Sequence, residues 1–486
     1  MPAGFGGIVM FYGRTEILKD LASLWRKKSA SLVACRGRRR IGKSRTMEEF
    51  AARSSCTFIS ISGQAPAAGV NNATQLAAFV EQLAAQSTIP NVKVETWMQA
   101  FRLLDAAIPT DGRTVVLLDE ISWMGGYDSG FAGCLKTAWD ANFKKHDNLV
   151  LILCGSVSAW IEKNILNSTG FVGRFSRDYV IGELVPSEAR QFWGRRVERL
   201  DTKDIVDVLS VTGGVPKYLE EIDPSLSADE NVRRLCFMPN GALFQDFNEI
   251  FSSIFGAKAE VKRSILEALA DGGKGENEIA RAVGGCSNGH LTEALYELSS
   301  AGFISPDRGV NPLTGRRTKR GKYRLKDNYS RFYLKFIRPH VEEIRQGVFR
   351  FTSLSALPGW NSILGLQFEN LVLNNVAELI PYLGIGGSIV TSMAPFRSDR
   401  TDKGGCCQID LLVQTPRTAY VVEIKRRREI GVEVEREVAE KVRRLPIRKG
   451  ISVRTALVYD GDLDPAVESL GFFDALISSR KLLGLA

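Results

Sequence analysis

Two sets of residues in this chain have the types and spacing for phosphate chemistry. The first is the octapeptide GRRRIGKS, Gly37, Arg38, Arg39, Arg40, Ile41, Gly42, Lys43 and Ser44, followed by Arg45. Glycines in such a turn let backbone N–H groups wrap phosphate oxygens, a lysine reaches the terminal phosphates, and the hydroxyl ligates Mg2+. Its partner is VVLLDE, four apolar residues that deliver Asp119 to the end of a strand and into the magnesium shell. Glu120 then stands where a carboxylate polarises attacking water.

The second set is Asp410, Glu423 and Lys425. Alternate residues of a strand share a face, so Glu423 and Lys425 point one way while Val422 and Ile424 point the other. A turn at TPRT (Thr415–Thr418) folds QIDLLVQ back on AYVVEIK and brings Asp410 to both. Two carboxylates suit a hard divalent cation, which activates water for phosphodiester hydrolysis while the lysine steadies developing charge. Glu369, in LQFENL on the preceding helix, is a further ligand or orienter. The same residues also make an ordinary cross-strand ion-pair set worth about 1 kcal/mol or less. A fold that keeps them without catalysis is a third reading. The following RRRE is a solvated run or a phosphate contact.

Two more residues attach to the first set. Ser156, at the end of LILCGS, orients water beside the γ-phosphate or caps the next helix. Arg174, in GFVGRFSR, is a loop arginine that is either solvated or offered to a neighbouring subunit to stabilise phosphoryl-transfer charge.

The elements that must position these residues are legible in outline. SLVACRG, CTFISIS, TVVLLDE, NLVLILCGS and RDYVIGEL lack polar alternation and read as buried parallel strands between helices. Residues 186–255 turn helical. Residues 256–340 carry three short helices and a hairpin, a winged helix-turn-helix. Its wing, NPLTGRRTKRGKYRLKD, holds Arg316, Arg317, Lys319, Arg320 and Lys322, charges suited to the phosphates of a duplex or simply solvated. The presumed recognition helix carries Glu293 and Glu297 and is poor material for base readout. A helix and further strands fill 341–486.

Composition sets the outer bounds. A chain of 486 residues, 44% hydrophobic and 24% charged, is globular and too long for one ordinary core. A net charge of +9 favours a polyanionic partner. Eight cysteines without disulfide spacing and only three scattered histidines argue against a zinc site and for a reducing compartment. No apolar run is long enough to span a bilayer. The expected location is the cytoplasm.

Beyond the residues themselves, FYGRTEIL, GRRRIGKS, LLDEISWM, LCGSVSAW, VGRF and TGGVPKYL follow the order found in archaeal-type ATPases. This resembles the origin-recognition and signal-transducing NTPase branches of the P-loop ATPases with an extended lid. The resemblance spans about residues 11–340. It implies ATP binding, hydrolysis with Mg2+, a lid marked by Gly213, Gly214 and Pro216, and homo-oligomers. The acid and lysine spacing, with FE and EIK, resembles the PD-(D/E)xK restriction-endonuclease-like domain fused to many such ATPases. Here Asp410 follows Ile409 where the family has proline.

The expectation is thus an α/β multidomain protein. Its parts are a P-loop parallel-sheet ATPase core (1–185), a helical lid (186–255), a winged helix-turn-helix (256–340) and an α/β restriction-endonuclease-like domain (341–486). ATP hydrolysis is expected to be coupled to metal-dependent DNA cleavage, in defence or mobile-element biology by family context. The alternative is a signal-transducing ATPase whose last domain only binds.

Overall fold

Five short apolar runs build the first sheet: β1 (Ser31–Arg36), β2 (Thr57–Ser62), β3 (Thr114–Asp119), β4 (Leu149–Gly155) and β5 (Phe175–Val180). They are all parallel, in the order β2-β3-β4-β1-β5. This is a computed structural model, and it describes residues 10–256, 259–284, 288–318, 321–398 and 405–485. The three central strands are buried almost throughout, which is why their sequences carry no polar alternation. β2 and β5 differ from the expectation of full burial. They are the two edges, and each alternates or is only half covered because it has one neighbour. On β5 the half-buried Arg177 and Tyr179 both bond to Asp20, while Asp178 and Val180 are exposed.

One face of this sheet packs on an aromatic cluster that includes Trp97, Phe101, Phe131 and Phe143. Trp97 and Phe131 meet edge to face with centroids 4.8 Å apart. That core holds the carboxyl ends of β1, β3 and β4 in one row, the edge at which open α/β sheets bind ligands.

The chain divides into two compact units, residues 1–183 and 184–486. The second begins with helices, among them Thr202–Thr212, in which every residue from Ile205 to Thr212 is buried. Gly213 and Gly214 break that helix, and Pro216 opens the next, Pro216–Leu219. Helices Ala259–Leu269, Glu276–Val283 and Asn288–Ser300 follow, with a small antiparallel sheet of β6 (Lys274–Gly275), β7 (Ile304–Asp307) and β8 (Lys322–Leu325) in the order β6-β8-β7. The long helix Trp360–Asn374 then leads to β9 (Ser392–Ser398), β10 (Cys407–Gln414) and β11 (Thr418–Ile430). Helix Glu433–Arg444, β12 (Ser452–Leu463) and β13 (Ala475–Ser478) complete a five-stranded sheet, β13-β12-β11-β10-β9. β9, β10 and β11 form an antiparallel meander, whereas β12 and β13 run parallel to β11.

The segments expected separately at 186–255, 256–340 and 341–486 fall within one unit, for a physical reason. Helix Thr202–Thr212 is enclosed by residues from far along the chain. Gln367 Nε2 donates to the carbonyls of Ser210 and Asn328, each at 2.7 Å. Arg426 Nη1 donates to Ser210 Oγ at 3.1 Å, its Nη2 pairs with Asp207, and its Nε lies 3.1 Å from Asp460 Oδ2. The three ionised side chains are 5–7% exposed. Arg426, the first arginine of the RRRE run, is thus neither solvated nor available to a phosphate. Arg427 and Arg428 are the exposed ones.

Removing one partner of a buried ion pair costs about 3–5 kcal/mol. Arg426→Met is therefore expected to accelerate amide hydrogen exchange in residues 202–212 and in β12 by that free energy. The exposed Arg428→Met should leave the same amides unchanged.

Candidate functional site

The loop after β1 is shaped by backbone that side chains would obstruct. A Cβ on Gly37 would lie 2.2 Å from the Ile181 carbonyl oxygen, so the chain passes there only as glycine. Gly42, at φ 81, is the N-cap of helix Lys43–Arg53 and offers no side-chain cap. A helix start without a side-chain cap favours an anion, and the helix dipole adds to that preference. Arg40 adopts φ 66, a left-handed conformation that a non-glycine residue holds only when its surroundings enforce it.

Around this loop the expected polar groups converge. Lys43, 6% exposed, donates from Nζ to the Arg38 carbonyl at 3.0 Å. Ser44 Oγ donates to Asp119 Oδ2 at 2.5 Å, and Asp119 Oδ1 accepts from the Glu120 N–H at 2.9 Å. Glu120 itself sits at φ 47, a second enforced left-handed residue. Its carboxylate accepts from both the N–H and the hydroxyl of Ser156, at 2.8–3.1 Å. Ser156 thus holds Glu120, and the helix Ser158–Ile161 has Val157 at its N-cap. Ile41 is buried.

The arginines of the loop have partners of their own. Arg38 lies 4.0 Å from Glu183, Arg39 stacks over Trp123 at 5.0 Å, and Arg45 pairs with Glu48 and Glu49 on its own helix. Arg14 of FYGRTEIL is buried and grips the carbonyls of Ile41, Gly182 and Glu183. Arg174 lies in a separate cluster. It makes a two-pronged pair with Asp140, at 3.0 and 2.8 Å, that holds the Asp140 carboxyl well below the ordinary range. Asp140 also meets Lys136 and Lys144.

Residues 11–222 match the family model described as an ATPase domain predominantly from Archaea. The first part of this chain carries an archaeal-type ATPase domain. Across 76% of its length the chain is also 24% identical to an uncharacterised protein of Methanocaldococcus jannaschii, over 78% of that protein. Among solved structures it is similar to a Walker-type ATPase of Pyrococcus abyssi, at 16% identity and a TM-score of 0.47, over 67% of this chain and 96% of that one. The ORC2 protein of Aeropyrum pernix aligns at 12% identity and a TM-score of 0.40, over 69% and 95%.

The second set of residues is assembled by the hairpin. Leu411 pairs with Val422 and Leu412 with Val421, a register that sets Asp410 across from Glu423. The turn closes at Thr415–Thr418, where the Thr415 N–H donates to the Thr418 carbonyl at 2.8 Å. Asp410 stands where the β9–β10 ladder shifts register, between Ile409 and Leu412, and its Oδ2 accepts the Ile424 N–H at 3.0 Å. Strand irregularities of this kind re-aim a side chain.

Glu423 is 1% exposed, and its charge is answered twice. Lys425 Nζ lies 2.8 Å from Oε1, and Lys441 Nζ bonds to Oε2. Lys441 also lies 3.7 Å from Asp410 Oδ1. Lys425 reaches a second carboxylate, Glu437, at 2.7 Å. Burial disfavours the Lys425 charge, yet Glu423 and Glu437 together hold its pKa above the ordinary lysine range. Burial, then the Glu423 charge, pushes Asp410 up. Burial and the nearby Asp410 raise Glu369, on helix Trp360–Asn374, to about 7. Glu437 and Lys441 escaped the sequence reading. Their only signal was i,i+4 spacing on the helix after the EIK strand.

Among the described residues no group of three or more His, Cys, Asp or Glu side chains is placed to hold a metal ion. Two oxygen pairs nevertheless converge. Ser44 Oγ and Asp119 Oδ2 are in contact, the hard-oxygen donors that Mg2+ takes. Asp410 and Glu423 share the ammonium of Lys441, which stands in for a cation between them.

Glu369 and Asp410 line a cavity of about 620 Å³ whose other wall includes Thr318, Gly321, Lys322 and Arg324 of the β7–β8 hairpin. That hairpin leans on the larger sheet: the Val310 N–H donates to Ser392 Oγ and Gln414 Nε2 donates to the Val310 carbonyl. Lys322 Nζ donates to the Gly273 carbonyl at 3.2 Å. Arg316 and Arg317 are exposed. Lys319 and Arg320 lie outside the described residues.

Overpacking costs about 1–3 kcal/mol. Gly37→Ala is therefore expected to weaken nucleotide binding by about 5- to 150-fold, measured with a fluorescent ATP analogue. Between about 4.5 and 7 the native state keeps a proton on Glu369 that the unfolded chain has released, so its contribution to stability declines as pH rises through that window. In chelator, Glu369→Gln should stabilise the protein at pH 8 by up to about 3 kcal/mol and change little at pH 4.5, read from denaturant unfolding at both pH values.

Proposed function

We propose that this chain couples ATP hydrolysis to metal-dependent cleavage or processing of DNA. The observation that carries the reading is the β10–β11 register, which sets Asp410 across from Glu423 with Lys425 two residues on and Glu369 beside Asp410.

In the first unit Lys43 and the N-terminus of its helix bind the phosphates. Ser44 and Asp119 would hold the Mg2+ that accompanies a nucleotide, which would supply counter-charge for its phosphates. Glu120 polarises the attacking water, and the hydrogen bonds from Ser156 fix where its carboxylate points. Self-association through Arg174 would require exchange of its Asp140 partner for a γ-phosphate on a neighbouring copy.

In the second unit the three helices and the hairpin are read as a winged helix-turn-helix whose exposed Arg316 and Arg317 touch phosphates. The meander, helix and parallel strand are read as a restriction-endonuclease-like core. Asp410 and Glu423 would hold a divalent cation, which supplies an acidic water and a counter-charge for the phosphate. Lys425, anchored by Glu437, faces the negative charge that develops on the scissile group.

A specific observation favours a second reading. Both carboxylates are already neutralised by lysines, the arrangement expected of a non-catalytic binding module in a signal-transducing ATPase.

Purified protein incubated with single- and double-stranded DNA, with Mg2+ or Mn2+ and with or without ATP, tests both. The cleavage reading expects metal-dependent cutting that Lys425→Ala abolishes while ATP hydrolysis persists. Lys43→Ala should cut ATP turnover by about 100-fold or more. Intact DNA in every lane beside normal ATP hydrolysis would favour the binding module.

A further inference from the structure

Helix Glu433–Arg444 follows the EIK strand directly and is pinned to the sheet by the buried Val434 and Val438. Four residues apart on one face, it presents Glu437 and Lys441. Each answers a charge on β11: Glu437 takes Lys425, and Lys441 takes Glu423. The helix therefore supplies a charge-reversed copy of the strand's own Glu-x-Lys pair.

The two lysines are not equivalent. Lys425 Nζ pairs with Glu423 on its Oε1 side, at 2.8 Å. Lys441 occupies the other side, on Glu423 Oε2 and 3.7 Å from Asp410 Oδ1, the position between carboxylates that a divalent cation would take. An ionised carboxylate buried as deeply as Glu423 is costly without a cation beside it. Lys441 is 23% exposed, and its side chain has four rotatable bonds, so it can leave for solvent while the helix stays in place.

We infer that Lys441 is the built-in cation of this site, competing with the divalent metal for Asp410 and Glu423 and withdrawing when metal binds. The inference rests on the metal-site reading above. It assigns to Lys441 a positioning role: without metal it keeps the two carboxylates from repelling each other, and it sets how much metal is needed to load them.

Mn2+ binding to the full chain, measured by calorimetry without nucleotide, tests this. The sites that count are those lost in Glu423→Gln. Lys441→Met removes the competing charge and should tighten Glu423-dependent Mn2+ binding by about tenfold or more, while Lys441→Arg stays near wild type. Thermal unfolding should show a larger Mn2+-induced rise for Lys441→Met than for wild type. Lys441→Gln keeps a hydrogen-bond donor for Glu423 without the charge. It serves where the methionine variant does not fold and should show the same tightening. Equal or weaker Mn2+ binding in the uncharged variants, still lost in Glu423→Gln, would overturn the competition while leaving the metal site standing. Absence of Glu423-dependent Mn2+ binding in both wild type and the uncharged variants would overturn the metal site and the inference together.

Discussion

A guanidinium buried between two carboxylates organises the second unit. Arg426 sits one residue beyond Lys425, and strand geometry turns it to the opposite face. One face of β11 therefore carries the candidate chemistry, with Glu423 and Lys425 set against helix Glu433–Arg444. The other face carries the tie to helix Thr202–Thr212 through Asp207 and Ser210. A charge withdrawn from water this far fixes its neighbours, because neither Asp207 nor Asp460 can move off without stranding it. The same helix is held from another direction by Gln367, two residues before Glu369. The elements that deliver Glu423, Lys425 and Glu369 are thus anchored to one helix far earlier in the chain.

Sequence was most legible where the chemistry is contiguous. Eight residues fix the phosphate loop, because turn, helix start and lysine follow one another without help from elsewhere. The hairpin was legible for a related reason. A two-residue period and a turn four residues long decide which side chains meet, and Asp410 met Glu423 across the ladder as that arithmetic required.

What escaped was non-local. Arg426 opens a run of three arginines, and runs of like charge are usually solvated; its burial depends on Asp207, more than 200 residues away. Lys441 and Glu437 read as part of an ordinary amphipathic helix until the sheet gives them partners. Changes of periodicity, from which the boundaries at 255/256 and 340/341 follow, do not register side chains that reach across them. An apolar run does not reveal whether a strand has two neighbours or one, so the half-covered edges β2 and β5 read like the central strands. The enforced left-handed backbone at Arg40 and Glu120 has no sequence signature at all.

The tight passage at Gly37 has a mechanical meaning. Its backbone presses on the carbonyl of Ile181, while Arg14 clasps the next two carbonyls, at Gly182 and Glu183, and the loop carbonyl of Ile41. The first unit ends at Glu183, so the phosphate loop is braced against the last links of chain before the second unit begins. With no slack for even a methyl group, the loop and residues 181–183 fix one another's backbone, so the shape of the loop is set by chain more than 130 residues further on.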